Sequence, residues 1–424
     1  MNSKKVKNTN VFEENLENFI KNINSLKRAL HLTMGLIEVS HKVNQSKLAH
    51  FIKKNGKNVT NKSFKIKHEN RKYFEELKND TNISKASLRI VPRSISVSLI
   101  SEFDFFIGII IRNIILLNPE ILNNCEKNVN FSALTNFKNI NEAKNYIIEK
   151  EVESVLRESH TFHFEWIEKK LNMSLRKDLS IWHKFVEITE RRNLFVHCGG
   201  IIGSQYVAIC KQSGVKLSHE YAPGLELGVS PQYLDDICNC LIELGVKLTH
   251  VIWRKLKPNE LSKADDNLNK ICYDLIDRQS FALADVLLDF STDVLKKHAS
   301  DVNKNVFIIN KALSRKLGGN KEDAFKIINS WDWSASSNDF KLAKEIILEN
   351  YEAAFLIMKK IGKDGEFISK AGYRDWPLFR EVKKNKKFKE LFKKIYKEEY
   401  ELKENNLEYD LTLTVKPKKK ATKK

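Results

Sequence analysis

The sequence predicts an all-α protein, and three observations indicate this fold class. Apolar residues recur at the three-and-four spacing of a helix in the opening segment around Val11–Val43. The same spacing returns between Trp182 and Thr189. Beyond residue 257, short apolar segments alternate with small residues, as in paired helices. We therefore predict four consecutive regions, which are residues 1–90, 91–256, 264–400 and 401–424.

The first region, residues 1–90, is predicted to be a helical extension that carries a basic loop. Its opening helix has seven apolar residues mostly at helical spacing, so one face should pack onto a core. These residues are Phe19, Ile20, Ile23, Leu26, Leu30, Leu32 and Leu36. The Lys/Asn-rich stretch from Lys53 to Asn79 has weak periodicity, and we expect an exposed arm or loop there.

The second region, residues 91–256, is expected to contain a central core helix. Its most apolar run, Phe105–Leu117, carries Arg112 in its middle and is too short for a membrane span of about twenty apolar residues. We therefore expect no membrane-spanning segment. The glycine-rich stretch Gly200–Pro231 predicts a short helical turn with an irregular excursion or a hairpin.

The segment Glu190–Gly200 concentrates residues with useful chemistry. Glu190, Asn193 and His197 stand at i, i+3 and i+7 and share one side of a helix, and Arg192 is long enough to reach the same pocket. A histidine exchanges protons near neutral pH, and an arginine binds phosphate oxygens bidentately. This group has the parts for moving a proton and holding a phosphate without a metal.

An arginine followed by a polar residue, with a histidine after four to six positions, resembles the signature of the HEPN superfamily of all-helical domains. The matching positions are Arg192, Asn193 and His197, and the resemblance extends over roughly residues 90–255. It implies a HEPN-like helical bundle with these three residues as the catalytic group of a metal-independent endoribonuclease. Many members act in toxin–antitoxin and anti-phage systems. Because two motifs meet across a dimer interface in that family, the resemblance also implies a homodimer.

Four further residues are expected to support the site. Glu190 and Arg191 belong to the motif segment, and Glu102 and Asp104 lie on the core helix before it. Either carboxylate of that core helix could pair with Arg191 or Arg192 and hold it in place; a surface salt bridge is the alternative.

A second match to the motif spacing is formed by Arg157 and His163. It lies in a polar run with Glu158 in the place of the amide, so we interpret it as a solvated helix face. His160 and His163 could share a helix face, but no further ligand pair stands at a metal spacing. We therefore expect neither a metal nor a cofactor.

Residues 264–400 predict a tetratricopeptide-like array of helical hairpins. Small residues twelve positions apart, followed by a large apolar residue, occur twice: Cys272, Ala284 and Leu288, then Ala312, Ala324 and Ile328. Small residues let paired helices approach closely. The two units are offset by more than the usual repeat of about thirty-four residues, so an ordinary helical bundle is the alternative. Such repeats bind a protein partner or hold a dimer.

Charge and cysteine usage indicate the setting. The formal net charge of +19 favours an anionic partner such as RNA, although heavy Lys and Asn usage also accompanies AT-rich genomes. Part of the charge belongs to residues 401–424, predicted to be a disordered basic tail. The six cysteines lack CxxC spacing, and polar sequence follows Met1, so we expect no signal peptide and reduced thiols in a cytoplasmic protein.

These patterns predict a metal-independent endoribonuclease that cleaves RNA by attack of the 2′-hydroxyl. It would be a cytoplasmic prokaryotic toxin or anti-phage effector, homodimeric and regulated by a protein partner through the repeat domain. The alternative is a non-catalytic HEPN-like scaffold that binds a nucleotide or a protein. In that case Arg192 and His197 only stabilise a helix end.

Overall fold

The structure, a computed structural model, describes residues 10–60, 63–124, 134, 136–177, 179–217 and 221–400. Over these residues the fold is all-α, as predicted. The chain divides into two compact units. The first comprises Met1–Leu275 with Ser280–Phe307, and the second comprises Ile276–Gln279 with Ile308–Lys424. The predicted tail, residues 401–424, lies outside the described residues.

The first unit contains most of the long helices. They are α1 (Val11–Asn55), α2 (Arg71–Leu117), α3 (Ile140–Leu156), α4 (His160–Leu171), α5 (Trp182–His197), α6 (Ser204–Gln212), α7 (Pro231–Leu256), α8 (Leu261–Asp277) and α9 (Phe281–Asp289). Helix α8 ends just beyond the division, in Ile276–Gln279. An antiparallel hairpin of β1 (Lys57–Thr60) and β2 (Ser63–Lys65) connects α1 to α2.

Shorter helices follow. They are α10 (Asp301–Leu317), whose first turns belong to the first unit, then α11 (Lys321–Asn329), α12 (Asn338–Ile347), α13 (Tyr351–Ile361), α14 (Lys370–Asp375) and α15 (Lys386–Tyr396).

Helices α1 and α2 form a long antiparallel pair. Asn10 caps the start of α1, where its side chain accepts a hydrogen bond from the backbone N–H of Phe12. The arm predicted over Lys53–Asn79 is confined to residues 56–70, because α1 continues to Asn55 and α2 already begins at Arg71. Aromatic contacts hold the two helices together at the end of the pair where the hairpin connects them. The Phe51 ring lies 5.4 Å from the Tyr73 ring across the pair.

The pairing also changes two other expectations for this segment. The predicted boundary near residue 90 falls inside α2, which is continuous from Arg71 to Leu117. On α1, Phe19, Ile23 and Leu30 are buried as expected, whereas two further leucines of the predicted face, Leu32 and Leu36, are 65% and 74% exposed.

The carboxyl-terminal half of α2 is the centre of the first unit. Most of its side chains between Leu99 and Ile115 are buried, against α1, α5 and α7. Among the described residues, the stretch His68–Leu117 has the length and apolar composition that could cross a membrane, and half of its most apolar window is buried inside the fold. Buried core helices of soluble proteins share this composition, so the expectation of no membrane span stays a prediction.

Short helices follow one another through residues 264–400. The four small residues singled out in the sequence, Cys272, Ala284, Ala312 and Ala324, are all completely buried, each within its own unit. The antiparallel-hairpin pattern is clearest in the second unit, where α12 and α13 are joined at Leu348–Asn350. Membership of the tetratricopeptide class stays a prediction.

Replacing either of two glycines in long helices by alanine should change the free energy of unfolding, and the two changes should have opposite signs. A Cβ on Gly245 of α7 would lie 2.5 Å from Cε1 of Phe19, whose ring stacks on Phe106 at 4.3 Å and cannot withdraw. We expect Gly245→Ala to lower the free energy of unfolding by about 1–3 kcal/mol. Gly35 of α1 has open space around it, so Gly35→Ala should raise that free energy by about 0.5–1 kcal/mol. Chemical denaturation measures both, and equal effects would contradict the packing described here.

Candidate functional site

Helix α5 carries the motif and is held by aromatic packing. Phe185 is fully buried, with its ring 5.1 Å from that of Phe103 on α2 and 5.8 Å from that of Phe164 on α4. These contacts fix which side of α5 faces the core. The residues that follow therefore point in defined directions, because each successive helical residue turns by about 100°.

Two glycines end α5, as the sequence predicts. The N–H groups of Cys198 and Gly200 both bond to the carbonyl oxygen of Leu194, at 2.8 and 2.9 Å. Gly199 and Gly200 have φ values of +59° and +88°, which favour glycine. Arg93 of α2 reaches this turn and donates from Nη1 to the carbonyl oxygen of Gly199 at 3.0 Å. The end of the motif helix is thus attached to the core helix.

The carboxylate of Asp104 lies between a histidine and an arginine. Its Oδ1 is 2.8 Å from Nε2 of His160, the first residue of α4. Its Oδ2 is 3.8 Å from Nη2 of Arg192 on α5. The three side chains remain partly open, at 27%, 14% and 26% exposure for Asp104, His160 and Arg192. One carboxylate therefore joins α2, α4 and α5 at a partly exposed polar cluster of Asp104, His160 and Arg192, which we call the recess.

The guanidinium of Arg192 keeps donors that no protein group uses. Nη1 donates to Oδ1 of the adjacent Asn193 at 3.2 Å. Nε is buried and has no hydrogen-bond partner among the described residues, and the contact with Asp104 is longer than a hydrogen bond. Arg93, Arg254 and Arg374 also have a buried, unpartnered Nε, so the donor of Arg192 that remains for a ligand oxygen is Nη2 at the partly exposed end of the side chain.

Glu190 and Asn193 border the same recess. Nδ2 of Asn193 donates weakly to Oε1 of Glu190, at 3.4 Å. Burial raises the pKa of Glu190, while the charge of His160 and the bond from Asn193 act in the opposite direction. These contacts bring together four of the residues predicted for the site: Asp104, Glu190, Arg192 and Asn193.

His197 stands apart from that group. It lies in the last turn of α5, is exposed, and makes no hydrogen bond with any residue that the structure describes. It follows Asn193 by four positions, so the two lie on the same side of the helix. Of the three predicted catalytic residues, Arg192 and Asn193 belong to the recess, whereas the side chain of His197 is exposed in the last turn of α5.

Arg191, next to Arg192, turns into the interior. Its Nε donates to Oε1 of Glu187 at 2.7 Å, and its guanidinium lies 3.9 Å from the ring centre of Tyr233. Glu187 also accepts hydrogen bonds from the hydroxyls of Tyr206 and Tyr233, at 2.8 and 2.9 Å, and Tyr221 accepts one from Nη2 of Arg191. Burial and the neighbouring Glu187 raise the pKa of both donating phenols, so they stay protonated.

This arrangement corrects the expected pairing of the carboxylates on α2. Arg191 pairs with Glu187 of its own helix and not with Glu102 or Asp104. Glu102 faces α1 instead, where it accepts a hydrogen bond from Nδ2 of Asn22 at 3.0 Å. Glu102 and Asp104 are two positions apart in a helix and therefore point to different sides, which the sequence pattern did not resolve.

Arg157 and His163, which form the second match to the motif spacing, lie in different environments. Arg157 is exposed and donates to Glu153 at 2.7 Å, as expected for a solvated helix face. That interpretation is wrong for His163, which is only 2% exposed and whose ring nitrogens have no partner among the described residues. Its ring lies 5.3 Å from that of His160. The shared face of His160 and His163 was expected from their spacing, but the sequence did not show that this face of α4 is buried.

Comparison with protein-family models, curated proteins and solved structures finds no match for this chain.

The two adjacent arginines should differ sharply in their effect on stability. Arg191→Ala leaves Glu187 buried without its cation, so we expect a loss of about 3–5 kcal/mol in the free energy of unfolding. Arg192→Ala removes a half-buried side chain whose one ion pair with the described residues is 3.8 Å long, and we expect a loss below about 1 kcal/mol. Urea denaturation of both variants measures this. Equal losses would show that Arg192 is also structural.

Stability should also depend on pH through His163. Burial, and then the charge of nearby His160, lowers the pKa of His163 from 6.5 to about 4 in the folded protein. Between pH 6.5 and pH 4 the unfolded chain binds a proton at His163 that the folded chain does not bind. The contribution of uncharged His163 to the free energy of unfolding is thus complete above pH 6.5. It is lost as the pH falls toward 4, by roughly 3 kcal/mol.

The matched variant is His163→Phe, which should flatten this pH dependence in part. His250 retains the rest, because burial and Arg254 lower its pKa to about 3. Denaturation curves at pH 7, 6 and 5 provide the comparison. An unchanged slope in His163→Phe would contradict the burial of an uncharged ring.

Proposed function

We propose that this protein is a metal-independent endoribonuclease whose active site is the recess around Arg192. The observation that carries the proposal is the guanidinium of Arg192, which is partly exposed beside Asp104 and whose Nη2 makes no hydrogen bond with the described residues. An arginine in this state matches the oxygens of a phosphodiester. Its helix ends a few residues later at the exposed His197, one turn beyond Asn193.

The chemistry follows from what RNA cleavage requires. A base removes the proton of the ribose 2′-hydroxyl, the O2′–P bond forms, and the P–O5′ bond breaks as the leaving oxygen receives a proton. Arg192 stabilises the charge on the phosphoryl oxygens, and Asn193 orients the phosphate or the ribose. His197 serves proton transfer. The products are a 2′,3′-cyclic phosphate and a 5′-hydroxyl.

The charge of the chain supports an RNA substrate. A net charge of +19 attracts polyanions through sequence-independent, salt-sensitive contacts. We further propose that the protein is a cytoplasmic toxin or anti-phage effector. In this proposal, two copies bring their motifs together, and a protein partner controls the activity through residues 264–400. The exposure of His197 supports this, because the residue is accessible to a second copy.

Purified protein should cleave single-stranded RNA in excess chelator and leave cyclic phosphate ends. Arg192→Ala and His197→Ala should each reduce kcat/KM by about 10²–10⁴-fold, since each removes a group that acts on the reacting atoms. Gel analysis of labelled oligonucleotides with end-group mapping is the measurement. Unchanged melting temperatures would separate chemistry from folding.

Two residues provide matched controls. His183 is an exposed histidine in the first turns of the same helix, and Arg157 is an exposed arginine of the discarded motif. His183→Ala and Arg157→Ala should keep full activity. Wild-type protein that binds RNA but never cleaves it would favour the scaffold alternative, and activity that disappears in chelator would refute the metal-independent mechanism.

A further inference from the structure

His160 has the surroundings of a proton-transfer residue. It begins α4 directly after the capping Ser159, and its Nε2 is 2.8 Å from Oδ1 of Asp104. The edge of its ring packs against Phe185, with centroids 5.8 Å apart and the planes nearly perpendicular. A carboxylate on one side and an aromatic ring on another together fix the orientation of the imidazole.

The hydrogen bond to Asp104 also determines which ring nitrogen is free. A neutral imidazole carries one N–H, and a carboxylate can only accept. The proton therefore resides on Nε2, and the lone pair resides on Nδ1, which has no protein partner among the described residues. A His–carboxylate pair of this kind presents a base and stabilises the imidazolium that forms when the base takes a proton.

His160 and Arg192 lie on either side of one carboxylate, an arrangement in which both could act on the same bound substrate. Both side chains contact the same carboxylate, His160 at Oδ1 and Arg192 at Oδ2. A phosphate bound by Arg192 would therefore lie beside the carboxylate that also orients the imidazole. The other histidine of α4 does not interfere, because the lowered pKa of His163 keeps that ring uncharged at neutral pH.

We propose that His160 is the general base of the ribonuclease reaction, that Asp104 is its positioning residue, and that His197 is left to protonate the leaving group. This inference rests on the function proposed above. Nδ1 of His160 takes the proton of the 2′-hydroxyl as the O2′–P bond forms. His197 gives a proton to the 5′-oxygen as the P–O5′ bond breaks. The base, its carboxylate and the phosphate-binding arginine thus belong to one chain.

A substrate with sulfur in place of the bridging 5′-oxygen tests this division of roles. A thiolate leaves without needing a proton, so the acid becomes dispensable while the base does not. On this substrate His197→Ala should regain most of the activity that it loses on ordinary RNA, about 10²-fold or more. His160→Ala should remain impaired on both substrates, and His183→Ala should match the wild type on both.

Two further readouts separate catalysis from a merely structural effect. Added imidazole should restore part of the activity of His160→Ala in a concentration-dependent way and should not affect His160→Phe, which fills the space. The acidic limb of the pH–rate profile should disappear in His160→Ala. The charged and titratable groups that face His160 are Asp104 of α2, His163 of α4, and Glu190 and Arg192 of α5.

Asp104→Asn should lower kcat more than it changes KM and should alter the pH profile, because the amide can donate and select the wrong tautomer. Full activity of His160→Ala with an unchanged pH profile, while Arg192→Ala is inactive, would overturn the role of His160 and leave the ribonuclease function standing. Rescue of His160→Ala by the sulfur substrate would overturn the assignment as a base. No cleavage by the wild type would overturn both proposals.

Discussion

The buried ion pair of Glu187 and Arg191 is the constraint on which the site depends. Removing two charges from water costs several kcal/mol per ion, and only close geometry with further hydrogen bonds offsets that cost. Here the phenols of Tyr206 and Tyr233 donate to the carboxylate, and a tyrosine ring lies against the guanidinium. These partners come from α6 and α7, so one pair joins three helices and allows α5 a single rotational setting.

That setting gives the neighbouring arginine its different environment. With Arg191 turned inward, Arg192 is about 100° further around the helix and meets Asp104 at the surface of α2. Helix α2 has two roles at adjacent residues, because Phe103 packs into the core while Asp104 contacts His160 and Arg192. A rigid apolar core thus positions a polar recess without contributing any chemistry to it.

Periodicity in the sequence predicted the fold class, the core helix around Phe106 and the glycine stop at Gly199. These features are predictable because residues close together in the sequence determine both a helical face and a turn with positive φ. Arg192, Asn193 and Asp104 were likewise predictable as candidates for the site. Their assignment to catalysis remains a proposal.

What the sequence did not reveal depends on long-range pairing. The Lys53–Asn79 stretch looks like a loop until Phe51 meets Tyr73 across the helix pair. His160 is separated by more than fifty positions from its carboxylate, and by about thirty from the arginine that shares it. The sequence left open whether Glu102 or Asp104 pairs with Arg191 or Arg192, whereas the structure has Asp104 beside Arg192 and Arg191 paired with Glu187 of its own helix. Only the helix packing distinguishes them.

The exposed thiol of Cys198 stands directly after His197, at the end of α5. The other cysteines that the structure describes are buried, and burial raises the pKa of the thiols of Cys210 and Cys238 to about 11 and about 12. Thiolates are the reactive form, so alkylating reagents will distinguish strongly between these positions. The fold therefore provides a natural attachment point for a fluorophore or spin label. Such a probe would report changes in the environment of the carboxyl-terminal end of α5 without any engineered residue.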